Sequence, residues 1–170
     1  VGQRVSLLLT MKIIELTEGM VAVVDDDDFH WLNQFKWRAT WVGNGRYWYA
    51  TRSDYNRATK KGKTVYMHRE ILGAKHGEKV DHENHMTLDN RKSNLRKCNH
   101  TQNIVNARLQ LRSKTGLKGV RKHKKDGKWE VRLADKWIGR FFDRTEAGEA
   151  YDKAARDKYG QFACTNKSLG

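Results

Sequence analysis

Short apolar runs alternate with long polar stretches along this chain. Residues 12–24, KIIELTEGMVAVV, hold two apolar runs on either side of Glu18-Gly19, the pattern of a β-hairpin. Four aspartates, Asp25 to Asp28, then precede FHWLNQF. Acidic side chains at a helix start accept free backbone N–H groups and complement the dipole, while Phe29, Leu32 and Phe35 recur on one helical face. A short capped helix is therefore expected here in preference to an acidic metal site. Residues 37–52, WRATWVGNGRYWYATR, alternate aromatics around Gly43-Asn44-Gly45 and predict a second hairpin. Residues 53–63 are polar and basic and read as a loop, residues 64–67 as a strand, and residues 68–74 as a short helix closed by Gly73 and Gly77.

A strand over residues 79–81 leads into VDHENHMTLDNRKSNLRKCNHTQNIVNAR, residues 80–108. Asn84, Asn90, Asn94, Asn99, Asn103 and Asn106 crowd this stretch, although Asn is a poor residue for helix and strand interiors and normally serves turns and caps. The segment is either one long loop or a small site wrapped in its own hydrogen bonds. Asp89-Asn90 and Lys92-Ser93 supply turn chemistry, Leu95 is a lone apolar anchor, and Thr101 can cap a helix that runs through Ile104, Val105 and Leu109. The order is strand, loop, short strand, helix: a ββα unit. Residues 110–116 read as a linker. Beyond it, turns at Asp126-Gly127 and Ala134-Asp135 separate three strands. A helix capped by Thr145 then runs to Tyr159, packs through Ala147, Ala150, Tyr151, Ala154 and Ala155, and stops at Gly160. There is no proline, so boundaries rest on Gly and Asn.

The expected fold class is α+β. A β-rich N-terminal domain over residues 11–109 contains the ββα unit, and a small domain over residues 117–166 packs a three-stranded antiparallel sheet on one helix. Residues 1–10 read as an upstream extension before Met11; the apolar stretch of residues 5–9 is too short for a membrane span and has no small-residue cleavage site after it.

Composition sharpens the functional side. With 170 residues the chain holds one medium domain or two small ones, and 38 % hydrophobic residues allow a modest core in which six Trp and six Tyr carry much of the buried area. A net charge of +14 points to a polyanionic partner. Nucleic acid leads, because no strongly amphipathic basic helix supports an anionic membrane. Cys98 and Cys164 form neither a CxxC pair nor a zinc framework. A reduced cytosolic setting fits, and a single disulfide stays open.

Hydrolysis of a phosphodiester needs a base for water and a cation for the charge on the phosphorane and leaving oxygen. Asp81 and Asn103 offer hard oxygen ligands, with Asn106 the rival one helical turn later. His82 offers an imidazole able to take a proton near neutral pH, and the Asn94 amide can both donate and accept across the turn. Neighbouring strand residues face opposite ways, so Asp81 and His82 serve one phosphate only at a strand end or twist. VDHENHMTLDNRKSNLR, continuing to TQN, resembles the HNH or ββα-metal nuclease motif, particularly that of homing endonucleases from phages and group I introns. The region from about Lys12, including VAVVDDDDF, is similar to the same phage proteins. The resemblance implies His82 as general base, a divalent cation on Asp81 and Asn103, and Asn94 as the structural middle asparagine. YMHRE, residues 66–70, matches the strand before the site, where His68 and Arg69 would contact phosphate or support it. Asn103 stands where many relatives carry His, and structural zinc cysteines are missing, which favours Mg²⁺ or Mn²⁺ over Zn²⁺.

In residues 128–133, KWEVRL, Trp129, Val131 and Leu133 should pack on the helix, leaving Lys128, Glu130 and Arg132 on the other face with Arg121, Lys122, Lys124, Lys125, Trp137 and Arg140. Such a basic, aromatic sheet suits a DNA groove. The stretches GLKGVRKHKKDGKWEVRL, WIGRFFDRTEAGEAYDKAARDKYG and FACTN resemble the AP2 DNA-binding domain over residues 114–166. By that resemblance, Lys118, Arg121, Lys124, Arg132, Trp137 and Arg140 are DNA-contact candidates; Arg132 and Arg140 depart from the plant pattern, so base preference does not transfer. The combined expectation is a metal-dependent homing-type HNH endonuclease acting on double-stranded DNA, as a monomer or homodimer, in the cytoplasm of a cell hosting a phage or mobile element. The alternative is a catalytically inactive DNA-binding regulator. RNA binding ranks last, because the sheet lacks aromatics patterned for base stacking.

Overall fold

A computed structural model describes residues 11–42, 47–107 and 113–169. The expected Gly43-Asn44-Gly45 turn, the upstream extension, the helix end at Leu109 and the first part of the linker lie outside these residues. The described chain is α+β and β-rich, with four small antiparallel sheets and a C-terminal helix as its longest element. It divides into two compact units, Val1–Cys98 and Asn99–Gly170.

In the first unit, β1 (Met11–Glu15) and β2 (Val21–Asp25) form the expected hairpin, turned at Glu18 and Gly19, both at positive φ. The helix α1 (Asp26–Leu32) follows, but its acidic start does not cap it through a side chain. Asp25 and Asp28 are instead buried against Lys92: the Lys92 backbone N–H donates to Asp25 Oδ2 at 2.7 Å, and Lys92 Nζ lies 2.8 Å from Asp28. A tertiary partner for these carboxylates has replaced the local N–H groups that sequence alone supplies. Phe35 lies beyond the helix end and is exposed, with the Arg52 guanidinium 4.1 Å from its ring centroid.

The strands β3 (Arg38–Val42), β4 (Tyr47–Asn56) and β5 (Lys61–Tyr66) make a three-stranded sheet. The loop expected over residues 53–63 is largely strand. Ser53 to Asn56 pair with Thr64 to Lys61, and Asn56 Oδ1 closes the turn by accepting from the N–H groups of Ala58 and Thr59. This end of the ribbon is mostly exposed, so it carries none of the apolar alternation that marks a half-buried strand. Then come α2 (Met67–Ile71), β6 (Lys79–His82) and β7 (Leu95–Cys98), the last two paired antiparallel. Ile14, Ala22, Val24, Leu32, Trp37, Ala50 and Met67 form the core, and the Trp37 indole N–H donates to the Leu32 carbonyl at 2.8 Å.

The second unit begins with α3 (His100–Asn106). Asn99 caps it, where Thr101 was the expected cap. Asn99 Oδ1 accepts the Gln102 N–H and Gln102 Oε1 accepts the Asn99 N–H, each at 2.8 Å, a reciprocal capping box. The sheet of β8 (Val120–Lys122), β9 (Trp129–Leu133) and β10 (Lys136–Phe141) has the order β10-β9-β8 and packs on α4 (Arg144–Tyr159). Thr145 again gives way as a cap, here to Asp143, whose Oδ1 accepts the Thr145 and Glu146 N–H groups. Val120, Val131, Leu133, Ala147, Tyr151 and Ala155 form this core. Cys98 and Cys164 are not joined in a disulfide.

Gly119 decides how closely the sheet approaches the helix. Its φ is +68°, its carbonyl accepts the Arg132 N–H, and a Cβ there would stand 2.2 Å from the Tyr151 ring and 2.5 Å from the Arg132 carbonyl oxygen. Both strain and overlap then oppose a side chain. Gly119→Ala should destabilise the protein by about 2–4 kcal/mol, read as a lowered urea midpoint; an unchanged midpoint would contradict this packing.

Candidate functional site

The polar stretch between β6 and β7 folds onto itself through asparagines. Asn94 spans it: its Oδ1 accepts the Asn84 N–H at 2.9 Å, its Nδ2 donates to the Asp89 carbonyl at 2.7 Å, and its own carbonyl accepts the Glu83 N–H at 2.9 Å. Asn84 Nδ2 donates to Asp89 Oδ2, and Arg91 grips both Asp89 oxygens at 2.7 and 2.6 Å. Asn90, fully buried, donates its Nδ2 to the Leu88 carbonyl. The loop is anchored to β2 as well, with the Asn90 N–H on the Val23 carbonyl and the Val23 N–H on the Leu88 carbonyl.

This framework holds Asp81 and His82 at the end of β6, the strand-end position their joint use requires. Both are buried. His82 Nε2 lies 3.4 Å from Asn90 Oδ1, and because an amide oxygen only accepts, this contact favours the tautomer with the proton on Nε2. Burial pushes the His82 pKa below the ordinary imidazole value, while the Asn90 contact and the charges of Asp81 and Asp89 push back. His82 therefore favours the neutral state that a general base needs. Asn94 braces the backbone around it, whereas the amide of Asn90, a residue the sequence pattern assigned to turns, lies against the imidazole.

Asp81 stands directly across the ladder from Arg96, whose Nε and Nη2 both lie 2.9 Å from Asp81 Oδ2. The carboxylate thus already faces a cation in a buried setting. A hard divalent ion uses one or two protein oxygens and completes its shell with water and phosphate, so the Asp81 carboxylate is a donor of the right kind, with Arg96 already occupying its Oδ2. Among the described residues, no group of three or more His, Cys, Asp and Glu side chains could hold a metal. Asn103 falls on α3 in the second unit with its side chain exposed, while Asn106 is buried.

The two upstream candidates occupy different settings. Arg69 donates to the Ala74, Lys75 and Glu78 carbonyls and so braces the chain leading into β6. His68 is buried in a cage of rings, 5.0 Å from His82, 5.2 Å from Tyr49 and 5.6 Å from Tyr66, and its Nδ1 has no hydrogen-bond partner. Burial, then the neighbouring His82 and Arg69, push its pKa down to about 3.

In the second unit the open sheet face carries two cross-strand rows. Arg121, Glu130 and Arg140 are in register on successive strands, and Arg132 pairs with Trp137. Glu130 Oε1 accepts from Arg121 Nη2 at 2.9 Å and Arg132 Nε at 3.1 Å; these guanidiniums hold its carboxyl below the usual range. Arg140 reaches Asp126 and His123. Trp137 is 53 % exposed and so belongs to the surface. Lys124 is exposed, and Lys122 pairs with Trp129 on the helix side of the sheet, at its edge. Lys118 is turned away to other work: its Nζ donates to the Val105 and Ala107 carbonyls at the end of α3. No helix among the described residues is long and apolar enough to cross a membrane.

Neutral, buried His68 makes stability depend on pH. Between the folded pKa of about 3 and the unfolded value of 6.5, the unfolded chain binds a proton that the folded chain refuses. Stability is complete above the unfolded value and falls as pH drops through this window, by up to about 1.4 kcal/mol per pH unit from this residue. His68→Gln should flatten the dependence of urea midpoint on pH between about pH 4 and 6; a slope equal to wild type would remove His68 as its source.

Compared with known proteins, the chain matches no family model and no curated protein.

Proposed function

We propose that this chain is a metal-dependent DNA endonuclease of the HNH type. His82 takes the proton from the attacking water, Asp81 would supply a carboxylate oxygen to a divalent cation, and an AP2-like C-terminal unit delivers the enzyme to double-stranded DNA. The carrying observation is His82 itself: a buried imidazole, kept toward neutrality by burial, touched by Asn90 at one nitrogen and adjacent to Asp81 at a strand end. Such a group is expensive to bury for structure alone and is suited to proton abstraction. Asn94 fixes the loop, and Asn90 orients the imidazole. When bound, Mg²⁺ or Mn²⁺ would supply charge stabilisation at the scissile phosphate and leaving oxygen.

DNA delivery is supported by the open face of the second unit. Arg121 and Arg132 project on either side of Glu130, which neutralises part of their charge and fixes their directions, and exposed Trp137 lies in register with Arg132. Guanidiniums so arranged suit phosphate or guanine, and an indole can lie along the sugar edge. The reading as an inactive DNA-binding regulator draws on one observation, the Arg96 guanidinium at Asp81.

Incubation of supercoiled plasmid, including DNA from the native locus, separates the two readings. With Mg²⁺ the wild type should give relaxed or linear product, EDTA should abolish it, and His82→Ala should slow it by roughly 10²–10⁴-fold. A folded, DNA-binding preparation that leaves all DNA intact with Mg²⁺ and Mn²⁺ would favour the regulator. In gel-shift titrations, Arg132→Ala should weaken duplex binding and reduce the slope of log K against log salt by about 1. Unaltered affinity and slope would move the DNA face elsewhere.

A further inference from the structure

The ion pair between Arg96 and Asp81 has the geometry of a competitor for the metal. The two residues face each other directly across the β6–β7 ladder. Two nitrogens of one guanidinium converge on a single carboxylate oxygen, Oδ2, at 2.9 Å, and both side chains are nearly buried, 12 % and 9 % exposed. A divalent cation on that carboxylate would share it with a fixed positive charge a few ångströms away, in surroundings where water screens little. The third nitrogen of the fork, Nη1, lies 3.9 Å from Glu83 Oε2 in the adjoining loop, a second anionic partner within reach.

We propose that Arg96 is an internal counter-cation that holds Asp81 while the metal is absent and sets the affinity of the site for the divalent ion. A guanidinium prefers two parallel hydrogen bonds to a planar or tetrahedral oxyanion, and a DNA phosphate offers them. Phosphate therefore draws Arg96 away from Asp81 oxygen as DNA enters, and the carboxylate becomes a stronger metal ligand. Metal loading is coupled to DNA binding: weak in the free protein, tighter in the complex. Arg96 acts through Asp81 and is a positioning residue. The inference rests on the metal-site reading of Asp81 given above.

The test measures Mn²⁺ affinity of the full chain by electron paramagnetic resonance, so cleavage is not the readout. Wild type, Arg96→Gln, Arg96→Lys and Asp81→Asn are titrated without DNA and again, in a His82→Ala background, with a 20-base-pair duplex of arbitrary sequence. Arg96→Gln should bind Mn²⁺ about tenfold more tightly than wild type, because the competing charge is gone. Arg96→Lys keeps the charge and loses the fork, so its affinity should fall between the two. The duplex should tighten Mn²⁺ binding to the His82→Ala protein severalfold and leave Arg96→Gln in that background little changed. If Asp81→Asn abolishes binding while both Arg96 variants match or fall below wild type, the competition is overturned and the metal site stands. If Asp81→Asn binds Mn²⁺ as wild type does, or no protein binds it, the metal-site reading fails and the competition with it. Should Arg96→Gln lose its fold on melting, the Arg96→Lys comparison decides the matter alone.

Discussion

Everything at the candidate site depends on the satisfaction of buried polar groups between β6 and β7. The loop joining these strands brings few apolar side chains, so it cannot be held by burial of hydrocarbon. It is held instead by Asn94, which serves four backbone groups through its side chain and main chain, and by the Asp89–Arg91 fork. A buried donor or acceptor left unpaired costs more than a formed hydrogen bond gains. The loop therefore has one well-satisfied arrangement, and that arrangement fixes where β6 ends. Asp81 and His82 inherit their positions from it.

A second layer of constraint comes from buried charge. Asp25 and Asp28 meet Lys92, Asp81 meets Arg96, and Glu130 meets Arg121 and Arg132. Such pairs add little net stability compared with well-packed apolar residues, but breaking one by removing a single partner leaves an expensive uncompensated charge. In a protein with so modest a core they specify register and loop placement more than they add stability. Two of them also lie at the surfaces where chemistry is proposed. Arg96 sits on the metal-ligand candidate, and Glu130 sets the spread of the arginines on the open sheet face. His68 belongs to the same logic, as a titratable ring buried without a partner for Nδ1 beside the proposed base.

Read from the chain alone, the elements were legible wherever apolar periodicity or turn residues marked them. The hairpin of residues 12–24, the aromatic alternation of residues 37–52, the three strands ending at Phe141 and the alanine-faced helix after them all emerge from spacing. The alternation of Trp129, Val131 and Leu133 also told which face of β9 would meet α4. Polar strand ends escaped: residues 53–56 and 61–63 pair in the sheet although no apolar face betrays them. Caps were misassigned to threonines because Asn99 and Asp143, each two residues earlier, are the side chains that accept the first helical N–H groups.

Local pattern and residue chemistry thus determined the α+β composition, the basic surface and the candidate roles of Asp81, His82 and Asn94, since these follow from what each side chain can do at its place in the chain. Tertiary structure decided who meets whom. The acidic run ahead of α1 turned from cap to anchor because Lys92, 64 residues from Asp28, folds back onto it. Arg96 became the partner of Asp81 because strand register placed them opposite, and Asn90 became the contact of His82 because the loop closed around Asn94. Register and loop closure are cooperative properties of many residues at once, and no single stretch of sequence carries them.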